Sequence, residues 1–103
     1  MSTIKIGDSE YRVECNFNAI MAYMRSHGLK DITFLSEELS VYDWADLMVC
    51  SINEGERLDG NRHDYTVEDL CACSMAEMTG VIGDFIRIFS EQNTAAPSES
   101  KKK

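Results

Sequence analysis

Within the first twenty-four residues the hydrophobic period switches from two to about 3.6, and this switch restricts the fold more than any other feature of the chain. Ile4 and Ile6 alternate with Thr3 and Lys5. After Gly7-Asp8-Ser9 the alternation resumes, with Tyr11, Val13 and Cys15 set against Glu10, Arg12 and Glu14. Period-two apolar placement across a Gly/Asp/Ser turn predicts an antiparallel ribbon over about 3–15 with one dry face. Phe17, Ile20, Met21 and Met24 then fall at i, i+3, i+4 and i+7, the stripe of a helix. A two-stranded ribbon is marginal alone in water. The following helix is therefore the natural cover for its apolar face, and the expected class is α+β.

The polar punctuation divides the rest of the chain. A helix over about 18–27 stops at Gly28, which can take the left-handed cap conformation. Asp31 opens a short helix over about 32–38, with Ile32, Phe34 and Leu35 as its apolar residues and Leu39 just beyond. Ser40-Val41-Tyr42-Asp43 reads as a capping box with Asp in place of Glu. It begins a helix over about 41–53 that carries Val41, Trp44, Ala45, Met48 and Ile52 on one stripe. The polar run Asn53 to Tyr65 predicts an exposed loop. Thr66-Val67-Glu68-Asp69 caps a helix over about 67–73, and Ser74-Met75-Ala76-Glu77 starts a last one over about 75–90. The sum is one domain over 1–90, a hairpin packed on four or five short helices. Residues 91–103 contain no apolar side chain larger than Ala. They predict a flexible polar tail.

Size and charge narrow the function. A chain of 103 residues with 44% apolar content can bury roughly 60–65% of its unfolded surface without staples. The 18 acidic and 10 basic residues give a formal charge of −8. Three of the basic residues are Lys101, Lys102 and Lys103, so the body is more acidic than the total. That balance argues against nucleic-acid backbones and anionic membranes, which need clustered Lys and Arg, and suits a basic protein partner. No apolar run approaches a membrane span, and the first residues lack the regions of a secretory signal. The expected setting is cytosolic, where Cys15, Cys50, Cys71 and Cys73 would stay reduced and pack as small hydrophobes.

Catalytic and metal-binding patterns find little support. Cys71-Ala-Cys73 has one intervening residue where zinc pairs use two to four, and on a helix its thiols point about 200° apart. No motif pairs His27 or His63 with a nucleophile or an orienting carboxylate. Asp59-Gly60-Asn61-Arg62-His63-Asp64 lacks the glycine and the bidentate Glu of a calcium loop. The expectation is a non-enzyme without cofactor or metal. A binding surface is the better candidate. Met75, Met78, Val81, Ile82, Phe85, Ile86, Ile88 and Phe89 give the last helix an apolar arc of about 160°, against the ~100° of a simple surface helix, and Met78, Val81, Ile82, Phe85, Ile88 and Phe89 are its candidate contacts. Such width predicts apolar surface left over for a partner. Met21, Met24, Met48, Met75 and Met78 lie on or beside the helical stripes, most of them read as ordinary core, the alternative being adaptable contacts for a partner helix.

The layout also resembles a family. Ile4-Lys5-Ile6-Gly7-Asp8-Ser9-Glu10-Tyr11-Arg12-Val13, Phe17 with Ala19-Ile20, and Gly28-Leu29 are similar to the tail assembly chaperones of long-tailed phages and gene transfer agents. So is the spacing of Leu39-Ser40-Val41-Tyr42-Asp43-Trp44-Ala45-Asp46-Leu47 and Thr66-Val67-Glu68-Asp69-Leu70. The likeness spans residues 3 to about 90 and is one of layout; the cysteines and Asn61-Arg62-His63 fall outside it. It implies a non-catalytic chaperone in the bacterial host cytoplasm, binding the tape measure protein and tail tube subunits before assembly. It also suggests that Lys101-Lys102-Lys103 marks an A-rich frameshift site, a solubilising basic tail being the alternative. Two other classes fit the composition. One is an acidic inhibitor or DNA mimic presenting Glu37, Glu38, Asp43, Asp46, Glu54, Glu56 and Asp59; the other is a structural virion component. The sequence leaves self-association open.

Overall fold

The protein is described by a computed structural model covering residues 2–31, 33 and 38–94. Two strands, β1 (Ser2–Ile6) and β2 (Ser9–Val13), pair antiparallel, and four helices follow: α1 (Phe17–His27), α2 (Val41–Leu58), α3 (Val67–Leu70) and α4 (Met75–Thr94). The class is α+β, as expected. The short helix expected over 32–38 and the tail beyond Thr94 lie outside the described residues.

The hairpin closes through the two-residue loop Gly7-Asp8, with Ile6 opposite Ser9. Gly7 has φ +62 and no other loop residue is positive, the pattern of a II′ turn, whose twist matches that of the strands. The dry face carries Ile4, Ile6, Val13 and Cys15, all buried. Asn16 caps α1 by accepting a bond from the Ala19 amide at 3.0 Å. Gly28, at φ +67, ends the helix as its amide and that of Leu29 donate back to Arg25 and Met24. The buried face of α1 is Ala19, Ile20 and Tyr23. Phe17 sits in the first turn on the flank of that face and is 68% exposed, so it is not the cover expected of it.

α4 packs against β1 and α2 against β2, so these two helices are the main cover of the ribbon, and α1, expected in that place, packs chiefly on α2. One core joins the hairpin, Ile20, Tyr23, Leu47, Met48, Ile52, Leu70 and the inner face of α4. Two side chains fasten α4 to the ribbon at its ends. The Glu77 carboxylate accepts from the Gly7 amide at 3.1 Å. Gln92 accepts from the Cys15 amide at 2.7 Å and donates to the Val13 carbonyl at 3.1 Å. Ser74 caps α4 through the Glu77 amide, but the Glu77 side chain serves the hairpin turn instead of closing the expected box.

The expected exposed loop over Asn53–Tyr65 is a correction. α2 runs on to Leu58, and Glu54 and Gly55 are buried within it. Gly55 is where the helix meets β2: a Cβ there would overlap the Arg12 carbonyl group. The polar residues of this turn close a polar seam. Glu56 accepts from the Arg12 amide at 3.0 Å, Asp59 takes the Arg12 guanidinium at 2.6 Å, and the Ser51 carbonyl receives the Glu14 amide at 3.0 Å. The helix ends through Gly60, at φ +78, with Gly60 and Asn61 amides returning to Arg57 and Glu56. α3 is shorter than expected, ending at Leu70; α4 is longer, reaching Thr94.

Candidate functional site: an apolar groove at the start of two helices

The surface expected to receive a partner is largely core. Met78, Val81, Ile82, Phe85 and Ile88 are buried, Phe85 completely, and Phe89 is half-buried. The ribbon and α2 cover more of the arc than its width suggested. Trp44 of α2 is the chief lid. Its ring meets Phe85 edge-on at 6.1 Å and Phe89 at 5.6 Å between centroids, a geometry aromatic quadrupoles favour.

The exposed apolar surface lies one step to the side, where α2 and α4 both begin. Tyr42 is 81% exposed, Met75 77% and Val41 62%. Together with Ala45, Val67, Cys71, Met78 and Ile82 they line an open groove of about 550 Å³. Thr79 continues its floor along α4. Local sequence explains the exposure. The Ser40 capping box fixes where α2 starts, with the Ser40 hydroxyl accepting from the Asp43 amide and Asp43 accepting from the Ser40 amide. The next two residues, Val41 and Tyr42, then project beyond the reach of the hairpin. On the far side the equivalent box of Thr66 and Asp69 starts α3, whose Val67 and Glu68 form the groove's other wall. Thus Met78 and Ile82, though buried, are the part of the expected site that the groove still touches.

Acidic groups edge the groove. Glu68 is exposed and makes no hydrogen bond or ion pair among the described residues. Asp46 is held by His27 Nε2 at 2.9 Å. His27 stacks on Tyr23 at 4.2 Å between centroids, with Asp43 3.9 Å from Nδ1. No sequence motif pairs His27 with a carboxylate; the approach of α1 to the start of α2 supplies two. His63 is exposed, bonded to the Asn61 carbonyl.

Most of the acidic residues proposed as a phosphate-mimicking row have internal partners. Asp43 serves its cap, Asp46 is paired with His27, and Glu56 and Asp59 bind Arg12. Glu54 receives Arg57 at 2.7 Å and Asn16 at 2.8 Å. The Arg57 bonds hold its carboxyl down at about 2 against the cost of burial, with Asn16 and Asn18 assisting. Glu37 lies outside the described residues.

The thiols are not arranged for chemistry. All four cysteines are free, Cys15 buried and Cys50, Cys71 and Cys73 half-buried. Burial pushes Cys15 and Cys50 up to about 11 and raises Cys71 as well, so they are protonated at neutral pH and poor as nucleophiles or ligands. Among the described residues no group of three or more His, Cys, Asp or Glu side chains could hold a metal ion. No helix among them is long and apolar enough to cross a membrane. No protein-family model, curated protein or solved structure matches the chain.

Proposed function

We propose that this chain is a non-catalytic tail assembly chaperone that holds an apolar helical segment of a tape measure protein, with tail tube subunits as further clients, in the host cytoplasm. One observation carries the reading: Val41, Tyr42 and Met75, three large apolar side chains left in water, line a single groove with Glu68 and Asp46 at its edge. Isolated exposed hydrophobes are ordinary, but a cluster lining a concave surface marks a contact site. A helix lying in such a groove inserts apolar residues at i, i+3 and i+4. Lysine or arginine on its flanks would meet the acidic rim, and the mobile thioethers of Met75 and Met78 would adapt to its shape. The order of hairpin, capped helices and acidic body supports the chaperone class over an inhibitor, whose exposed carboxylate row is largely occupied by internal bonds.

The test is co-expression with fragments of the tape measure protein from the same genome. The wild-type chain is expected to co-purify with a fragment, whereas Tyr42→Asp and Met75→Asp variants lose it while retaining the wild-type circular dichroism. Equal capture by all three would refute the groove as the client site. Lack of any long helical open reading frame beside the gene would refute the chaperone assignment itself.

A further inference from the structure

The two edges of the hairpin are treated differently. The Gly7-Asp8 loop makes Ile6–Ser9 a hydrogen-bonded pair, and the alternation along the ladder makes Lys5–Glu10 and Thr3–Arg12 non-bonded pairs. The backbone amides and carbonyls of those four residues therefore point away from the ribbon. On the β2 side they are used: the Arg12 amide donates to Glu56, and the Glu14 amide beyond it to the Ser51 carbonyl. On the β1 side, the amides and carbonyls of Thr3 and Lys5 have no partner among the described residues, and both residues are exposed. An uncovered strand edge is a template for another strand.

We infer that the outer edge of β1 is a second binding surface, which adds one extended, basic peptide segment as a third strand. The charge around the edge selects the occupant. α4 lies under β1, with Phe85 and Phe89 turned to Trp44 of α2. At 100° per residue the flank turned away from Trp44 carries Asp84, with Arg87 further round it and paired to Glu91 at 3.5 Å, and Glu77 stands at the turn end, bonded to the Gly7 amide. Side chains of an added strand that point with Ile4 and Ile6 would lie over this acidic flank and favour Lys or Arg. Those on the other face would lie beside Lys5 and Thr3 and favour neutral residues. A strand alternating basic and neutral residues satisfies both. A second copy of the chain does not, since it would set the two Asp84-bearing flanks against each other. The surface is distinct from the α2–α4 groove and stands without the chaperone reading.

The probe is the blocked peptide Lys-Thr-Lys-Val-Lys-Thr-Lys, followed by amide hydrogen exchange. The amides of Thr3 and Lys5 are expected to slow at least tenfold on addition of peptide, while the amides of Ile4 and Ile6, already in the ladder, change little. The same peptide with Glu for Lys should give no protection, and N-methylation of its alternate amides should abolish the effect. Asp84→Lys should weaken it, and Tyr42→Asp should leave it intact. Unchanged exchange at millimolar peptide would overturn the inference. Equal protection by the acidic peptide would do so as well. So would a concentration-dependent dimer in which Thr3 and Lys5 are already protected without peptide.

Discussion

α2 has two ends built on opposite terms. Toward its C-terminus it lies so close to β2 that only glycine fits at position 55, and the peptide groups and charges there are largely matched, Arg12 Nε being the buried polar atom left without a partner among the described residues. Toward its N-terminus one face meets His27 of α1 and Phe85 and Phe89 of α4, while the face beside α3 and the first turn of α4 leaves Val41 and Tyr42 in water. The closed end is more polar in sequence, and the open end more apolar. Composition thus reads the reverse of exposure, because a polar segment can be buried when its groups are satisfied in place. An apolar segment stays exposed when the topology brings nothing to cover it.

Four substitutions separate the two ends. Phe85→Asp places a charge at the centre of the shared core and should cost more than about 4 kcal/mol. Circular dichroism and client binding should then be lost together, whereas retention of the fold would return Phe85 to the surface. Gly55→Val drives a branched side chain into the Arg12 carbonyl and should cost about 3 kcal/mol in urea unfolding. Glu54→Ala leaves Arg57, Asn16 and Asn18 without their acceptor and should cost about 2 kcal/mol. The smallest effect is expected at the open end, where Met75→Asp should alter stability by no more than about 0.5 kcal/mol. Its consequence should be confined to capture of the proposed client, read by co-purification.

Glu54 also gives the closed end a pH signature. Its folded-state carboxyl lies at about 2, below the ordinary 4.5 of an unfolded chain. Its contribution is therefore fully present above pH 4.5 and is lost as the pH falls through about 2. Unfolding midpoints at pH 7 and pH 3 should differ less in Glu54→Gln than in the wild type. Equal pH slopes would remove the Glu54–Arg57 pair from the account of the seam.

The hairpin and most helix starts were legible because each has a local signature: alternation, a Gly turn, and side chains such as Ser40, Thr66 and Ser74 that cap the next helix. The second half of α2 was not. Gly55 and its charged neighbours look like a loop, and only the i, i+3 spacing of Glu54 and Arg57 and the stop at Gly60 hint otherwise. The site was legible in part. The methionines at the start of α4 were singled out, and Met75, Met78 and Ile82 do line the groove. Which part of the apolar arc stays open depends on how α2 crosses α4 and on where Trp44 lands, and no local pattern specifies either.

Glu77 and Gln92 give the last helix a fixed gauge. They are fifteen positions apart, roughly 22 Å of α-helix, and each grips a backbone amide at opposite extremities of the ribbon. Inserting or deleting a single residue between them would swing one grip about 100° around the axis and forfeit it. Length polymorphism among natural variants of this protein should accordingly be confined to positions before Ser74 or after Gln92, with the span between them invariant in residue number.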